Sequence, residues 1–192
     1  MEIGVRQFWH DLRRRRYRFR QPVSLLFCIL LVAWARPFLW GFVIGAGLCT
    51  AGLLLRLWAS GYIRKSRVLE TRGPYGLVRH PQYLGNTLVA VGGSLAVGRP
   101  LAIVAWALIL YLFFVPAIRR EDAKLHRRFG SAWEEWRQNT PALVPSPPFS
   151  TNPGLDLGEW SLRQCFHNGE PVWFALALLA LTYVFLIGLP GF

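Results

Sequence analysis

FLWGFVIGAGLCTAGLLLRLWA, residues 38–59, decides the fold, because Arg56 is its only charged side chain. A helix that crosses a bilayer needs about 20 consecutive, mainly apolar residues. Four further stretches are free of charged side chains: residues 22–35, 82–97, 101–118 and 171–189. The pattern predicts an all-α protein, a polytopic transmembrane helical bundle of about five spans. The two shorter stretches need tilt, or extension into flanking aromatic residues, to complete a crossing.

The basic residues lie between the apolar stretches, in every second connecting segment. Residues 1–21 hold seven Lys and Arg, residues 60–81 hold five, and residues 119–170 hold seven. The intervening turns hold only Arg36 and Arg99. Cytoplasmic segments of membrane proteins are enriched in Lys and Arg. The alternation therefore predicts a multi-pass integral membrane protein, in the cell inner membrane if the source is bacterial, with its amino terminus and long connections in the cytoplasm.

The net charge of +12 does not by itself indicate nucleic-acid binding. A soluble nucleic-acid-binding protein spreads its basic residues over a folded surface, whereas 53% of this chain is hydrophobic and its mean hydropathy is +0.30. We attribute the charge to topology and to attraction by anionic lipid headgroups, so membrane lipids and not nucleic acid are the expected partners. Cys28, Cys49 and Cys165 lack CxxC or Cys/His spacing, which predicts free thiols and no zinc site.

Small residues recur on two of the predicted spans. Gly41 and Gly45 form a small-xxx-small pair, and Gly52 lies close to the same helical face. Gly85 and Gly92 have the same character in the next span. Small residues let two helices approach closely, so this pattern predicts tight helix packing.

Two stretches flank the spans. Four apolar residues with helical spacing predict an amphipathic helix on the membrane surface near the amino terminus: Val5, Phe8, Trp9 and Leu12. Five prolines within residues 141–153 preclude a regular helix and predict a stiff connector before the last span.

TRGPYGLVRHPQYLG, residues 71–85, is richer in turn-forming and aromatic residues than topology requires. Gly73-Pro74 predicts a turn, and Pro81 suits the first position of a helix. A helix is therefore predicted to begin just after His80. Its unpaired backbone N–H groups and positive dipole end favour the binding of an anion there.

RREDAKLHRRFGSAWEEW, residues 119–136, continues the fourth span as a charged helix. Gly130 is predicted to end this helix, and Ser131 with Glu134 to form a capping box for a short second one. An apolar stripe at helical spacing indicates helix packing: Leu125, Phe129, Trp133 and Trp136.

Glu121 and Asp122 differ from the rest of that segment. They are acids at the end of a predicted span, where topology favours bases, and ionisable groups at such positions are commonly functional.

Together the two segments resemble the isoprenylcysteine carboxyl methyltransferase family and its phospholipid methyltransferase relatives. The resemblance runs from Gly73-Pro74-Tyr75 through RHPQYLG to the acidic pair, then to Phe129-Gly130 and the prolines at 141 and 145. It covers residues 72–145, about two-fifths of the chain. The sequence departs from the family in having Glu121-Asp122 where Glu-Glu is usual, and Trp133 and Trp136 where tyrosines are usual.

The resemblance implies a membrane methyltransferase with S-adenosyl-L-methionine as its cofactor. Its acceptor is expected to be lipid-like or isoprenylcysteine-like, a prenylated small molecule or peptide that presents a carboxylate, thiol or amine. The implied cofactor-binding residues are Gly73, Tyr75, Leu77, Val78, His80, Pro81, Tyr83, Glu121 and Asp122. In this scheme His80, Tyr83 and backbone amides hold the cofactor's polar ends, and Glu121 takes its ribose hydroxyls or its ammonium group.

This reading divides the chain into three parts. Residues 1–70 hold the amphipathic helix and a two-span hairpin, residues 71–150 form a cofactor-binding catalytic core with two spans, and residues 151–192 hold the connector and the last span.

Methyl transfer from a sulfonium is an in-line displacement, so the protein has to align nucleophile and methyl group and exclude water. No metal is expected. The catalytic candidates are Arg79, Glu121 and Arg120. A carboxylate or thiolate acceptor needs a cation such as Arg79 or Arg120 to position it, whereas an amine needs a base, for which Glu121 or His126 is available.

Two other classes of protein share parts of the pattern. Membrane sterol or steroid-type reductases, which use reduced nicotinamide cofactors, also resemble the RHP-x-Y-x-G segment. A non-enzymatic membrane adaptor explains the glycines by packing, the arginines by topology and RHP as a helix start. The acidic pair and the small size favour methyl transfer, and binding of a methyl donor, of NADPH or of neither separates the three.

Overall fold

The computed structural model describes residues 16–63, 68–145 and 160–188, and within these ranges the chain is helical without a strand. This confirms the predicted all-α fold. Seven helices are described: α1 (Arg20–Ala33), α2 (Leu39–Tyr62), α3 (Pro81–Ala96), α4 (Ala102–Phe129), α5 (Ser131–Asn139), α6 (Leu162–His167) and α7 (Glu170–Gly188). The predicted amino-terminal amphipathic helix and the domain boundary at residue 150 lie outside the described residues.

Five of these helices, α1, α2, α3, α4 and α7, run between two ends of a bundle. At one end the turn before α2 meets the turn after α3, because the Arg36 N–H donates to the Val97 carbonyl over 2.8 Å. At the other end lie the start of α3, the end of α4 and the start of α7. Segments 71–85 and 119–136, which are rich in arginine, lie at this second end, and we therefore call it the basic end.

Three of the helices are long and apolar enough to cross a membrane: α2, α4 and α7. The shorter apolar α1 and the 16-residue α3 occupy the positions of the two short predicted spans. The number of crossings and their orientation stay predictions.

Helices α2 and α3 pack along the glycine faces that the sequence predicted. A Cβ on Gly45 would overlap the backbone of Ala96 and Gly92, and one on Gly52 would lie 2.7 Å from the Gly85 carbonyl oxygen. The close approach also brings the Cys49 thiol within 3.4 Å of the Val89 carbonyl oxygen. All three cysteines are free thiols, as predicted.

Helix α4 contains one wide turn, the π-helical segment Leu110–Phe114. Pro116 lies two residues beyond this segment and has no N–H to donate to the preceding turn, so a local break in the regular hydrogen bonding is expected here. The wide turn places Phe114 edge-on to Tyr83 of α3, with ring centroids 5.4 Å apart. Beyond it, α4 continues as the charged helix that carries the acidic pair.

Gly130 ends α4 with φ +53°, as the sequence predicted. The predicted capping box is wrong, because Gly130 itself is the residue before α5 and no side-chain cap forms. The Glu134 carboxylate instead contacts His126, with Oε1 2.8 Å from His126 Nε2.

The apolar stripe of α4 and α5 packs at the basic end, as expected. Trp133 and Trp136 are buried against Ala59, Tyr62 and Tyr75, and Leu125 and Phe129 lie at the edge of this apolar group. The Trp136 indole N–H also donates to the Tyr75 carbonyl over 3.1 Å. This apolar group holds α5 against the end of α2.

A buried ion pair, which we call the clasp, joins α7 to α2. The Arg56 guanidinium donates to both Glu170 carboxylate oxygens over 3.0 to 3.1 Å and also to Asn86 of α3. The Gln82 side chain donates to the Arg56 carbonyl over 3.1 Å. The clasp therefore ties together the starts of α7 and α3 and the last third of α2.

Candidate functional site

The segment before α3 folds back on itself in a tight turn. Gly73 takes φ +56°, a conformation that side-chain-bearing residues rarely adopt, and begins a short 3-10 turn over Gly73–Gly76. The Val78 N–H then donates to the Pro74 carbonyl over 3.1 Å. This confirms the predicted turn and delivers Arg79 and His80 to the start of α3.

Arg79 and His80 pair with a segment that lies beyond α5. Their backbone N–H groups donate to the carbonyls of Pro141 and Ala142 over 2.8 and 3.0 Å. The expectation of unpaired N–H groups at this helix start is therefore wrong for these two residues. Residues 140–145, which include the described part of the proline-containing stretch, hold the loop in place, and we call them the strap.

The acidic pair of α4 meets α3 directly. His80 Nε2 lies 3.1 Å from Asp122 Oδ1, and its Nδ1 lies 3.8 Å from Glu121 Oε2. The Tyr83 hydroxyl donates to Glu121 Oε1 over 2.6 Å. Two segments about 40 residues apart in sequence thus form one polar group, which we call the cluster: Arg79, His80, Tyr83, Glu121 and Asp122.

Arg79 joins the cluster to the strap. One guanidinium nitrogen, Nη2, donates to Asp122 Oδ2 over 3.2 Å, and the other, Nη1, donates to the carbonyls of Arg137 and Thr140. Burial lowers the pKa of the Arg79 guanidinium, and the Asp122 carboxylate opposes that shift. Because arginine ionises far above neutral pH, the group stays charged.

Arg20 at the start of α1 is a member of the site that the sequence analysis did not find. Its Nη2 lies 3.7 Å from Glu121 Oε1, and its Cζ lies 5.6 Å from the centre of the Tyr83 ring. In the sequence Arg20 is one of seven basic residues before the first apolar stretch, and no local pattern separates it from its neighbours.

The other predicted site residues divide into buried and exposed positions. Those buried in the packing around the loop are Gly73, Tyr75, Val78 and Pro81. Burial, and after it the charge of Glu121, raises the pKa of Tyr75 well above its ordinary value. Leu77 is exposed beside them, and Arg120 is exposed on α4. Of these six, Val78, Pro81 and Arg120 are next to cluster residues in the sequence, whereas Tyr75 packs against Trp133 and Trp136.

An open cleft of about 460 Å³ lies beside the cluster. It is lined by Arg79, by three residues at the end of α5 and by three residues of the strap. The α5 residues are Arg137, Gln138 and Asn139, and the strap residues are Thr140, Pro141 and Ala142. Several buried donors in and next to it lack a partner, among them Arg79 Nε and the Thr140 hydroxyl. None of the lining residues except Arg79 was among the predicted site residues.

Comparison with known proteins finds similarity in the part of the chain that carries the cluster. The family model of the phospholipid methyltransferases matches residues 40–132, which include both segments of the cluster. Residues 40–132 are thus similar to the phospholipid methyltransferases. The resemblance drawn from the sequence is confirmed over this matched segment, whereas Arg137, the strap and α7 lie beyond it.

Curated relatives match the same part of the chain. The protein-S-isoprenylcysteine O-methyltransferase of Schizosaccharomyces pombe is 34% identical over 84 residues, 44% of this chain and 36% of the relative. A probable enzyme of the same name from Oryza sativa is 39% identical over 77 residues, 40% of either chain.

The cobalt-zinc-cadmium resistance protein CzcN of Cupriavidus metallidurans is 38% identical over 116 residues, 58% of this chain and 51% of the relative. The chain thus spans between about a third and a half of the length of these relatives. No solved structure matches. Within residues 16–63, 68–145 and 160–188, no three His, Cys, Asp or Glu side chains are grouped as metal ligands.

Proposed function

We propose that the protein is an S-adenosyl-L-methionine-dependent methyltransferase that acts at the cytoplasmic membrane interface. The observation that carries the proposal is the direct contact between the RHP segment and the acidic pair, His80 with Asp122 and Tyr83 with Glu121. An adaptor that uses these residues only for topology and helix starts has no need to join them. The family match and the names of the relatives support the same reaction class.

The residues of the cluster fit a methyl donor of this kind. The Glu121 side chain is 43% exposed although it accepts the Tyr83 hydroxyl, so it can receive a further hydrogen bond from an ammonium group or a ribose hydroxyl. Arg79 and Arg20 supply positive charge on either side of the carboxylates. The donor, when bound, supplies a methyl group activated by a sulfonium.

The chain's own residues have three tasks in this scheme. The Tyr83 hydroxyl and His80 fix the orientation of Glu121 and Asp122, since each ring contacts one or both carboxylates. Phe114 packs edge-on against Tyr83 and excludes water from its inner side. Alignment and water exclusion are the main contributions that a protein makes to such a displacement.

For the methyl acceptor we propose a lipid-like or isoprenylcysteine-like molecule. The cluster lies where α1, α3 and α4 leave their apolar stretches, so an apolar chain can lie between helices while its reactive end reaches the polar groups. Arg79, a member of the cluster, is the cation that we expect to position an ionised acceptor. His126 is already in contact with Glu134, so Glu121 is the better placed base for an amine.

Calorimetry with purified full-length protein in detergent tests the proposal. We expect wild-type protein to bind S-adenosyl-L-methionine and Glu121→Ala to weaken this binding by at least about tenfold, because a charge-assisted contact is lost. Glu135→Ala is the matched control, since Glu135 is exposed on α5. Equal affinity of Glu121→Ala and the control would remove Glu121 from the site.

A second measurement addresses the class of reaction and of acceptor. Labelled methyl donor is offered with an S-farnesylated cysteine, a phospholipid amine and a water-soluble thiol. We expect transfer to one of the first two. Turnover with the soluble thiol alone would contradict the proposal of a lipid-like acceptor. Binding of NADPH in place of the methyl donor would favour the reductase function over methyl transfer.

A further inference from the structure

We propose that the cleft beside Arg79 binds a carboxylate between Arg79 and Arg137, and that Arg137 determines the affinity for the molecule that carries it. The proposal rests on the proposed methyltransferase function and adds a binding residue outside the matched family segment. Two molecules of that reaction present a carboxylate. These are the methyl donor, through its amino-acid end, and an acceptor of the isoprenylcysteine type.

The cleft has more positive charge than its carboxylates neutralise. The Arg79 and Arg137 guanidinium carbons lie 6.0 and 5.5 Å from the centre of the Trp133 ring, so both cations contact one aromatic side chain. Asp122 pairs with Arg79. Arg137 has no ion pair within the described residues, and it lies on the exposed side of α5 where it lines the cleft.

Unpartnered donors gather at the same place. Arg79 Nε and the Thr140 hydroxyl are buried without a hydrogen-bond partner. The indole N–H of Trp133, whose ring both guanidiniums contact, is also buried without one. The Arg79 side chain is 10% exposed, and Thr140 is 1% exposed. Buried donors are usually satisfied, and leaving one unpaired costs free energy. A carboxylate has several lone pairs and no donor, so it is suited to accept hydrogen bonds from this set of donors.

Arg79 belongs both to the cluster and to the lining of the cleft. Asp122 contacts His80 through one carboxylate oxygen and Arg79 through the other, and Arg79 reaches the Thr140 carbonyl that borders the cleft. Arg79 therefore links a carboxylate bound in the cleft to the polar groups of the cluster. The planar guanidinium can form two parallel hydrogen bonds with a carboxylate, which lysine cannot reproduce.

Calorimetry on full-length wild type, Arg137→Gln and the control Arg127→Gln tests the proposal. Arg127 is exposed near the end of α4 and does not line the cleft. The probes are S-adenosyl-L-methionine, its decarboxylated analogue, an S-farnesylated cysteine and the carboxamide of that cysteine. Thermal midpoints of the three proteins are compared first, and we expect them to agree because both arginines are exposed.

If the methyl donor provides the carboxylate, Arg137→Gln weakens the binding of S-adenosyl-L-methionine by about tenfold and leaves the binding of the decarboxylated analogue unchanged. If the acceptor provides it, the binding of the farnesylated cysteine weakens by the same factor, and the binding of its carboxamide does not change. Either result supports the proposal. Affinities of Arg137→Gln that match those of Arg127→Gln for all four probes overturn it while leaving the proposed function intact. A wild-type protein that binds no S-adenosyl-L-methionine overturns both.

Discussion

The clasp and the cluster are two polar networks at the basic end of one bundle, and they differ in how completely their charges are enclosed. In the clasp, the Arg56 and Glu170 side chains are 14% and 10% exposed and satisfy each other through several hydrogen bonds. In the cluster, the Glu121 side chain is 43% exposed and Arg79 Nε has no acceptor. A closed network holds helices together, whereas an open one keeps capacity for a ligand.

Breaking the clasp is expected to give the largest effect on stability. Glu170→Ala leaves the Arg56 guanidinium buried without its carboxylate, and removing one partner of a buried ion pair costs about 3–5 kcal/mol. The thermal midpoint in detergent should fall by many degrees, with the affinity of the remaining folded protein for S-adenosyl-L-methionine nearly unchanged. Glu135→Ala should melt with the wild type. A midpoint for Glu170→Ala equal to that of Glu135→Ala would mean that the clasp does not hold α7.

The α2–α3 interface supports both networks, and a methyl group there should have the next largest effect. Gly45→Ala overlaps the backbone of α3, so we expect a loss of about 1–3 kcal/mol from overpacking. Gly47 is the control on the same helix, because a Cβ at Gly47 meets no atom within 4 Å. Urea or thermal unfolding should rank Gly45→Ala well below Gly47→Ala, and the reverse ranking would refute the packing.

The smallest expected effect sharpens the description of the cluster. Tyr83→Phe keeps the contact with Phe114 and removes only the 2.6 Å hydrogen bond to Glu121. Loss of about 1 kcal/mol corresponds to a roughly fivefold weaker binding of S-adenosyl-L-methionine, with little change in melting. Tyr111→Phe, on the exposed face of α4, is the control. Unchanged binding in Tyr83→Phe would show that Glu121 does not depend on this hydroxyl.

Much of the fold follows from local patterns in the sequence. Uncharged stretches located the long helices to within a few residues, and the glycine spacing predicted the α2–α3 contact. The charged segment after the fourth stretch also predicted that α4 continues as far as Gly130. The clasp was also within reach. Arg56 was the one charge in an apolar stretch, and such a charge needs a partner.

The parts that sequence reasoning missed depend on contacts between distant residues. Arg20 is one of seven basic residues near the amino terminus, and only the packing of α1 brings it to Glu121. The strap is joined to Arg79 by backbone hydrogen bonds, which leave no mark on side-chain identity. The capping box failed because Gly130 with positive φ takes the capping position.

Hydrogen exchange on the full-length protein with and without S-adenosyl-L-methionine tests the central claim most directly. That claim is that residues 71–85 and 119–136 form one site for the methyl donor. We predict that peptides from both segments become protected together at a donor concentration near the wild-type Kd. Glu121→Ala, which binds at least about tenfold more weakly, should lose most of both effects at that concentration. Protection confined to one segment, or to neither, would contradict the claim.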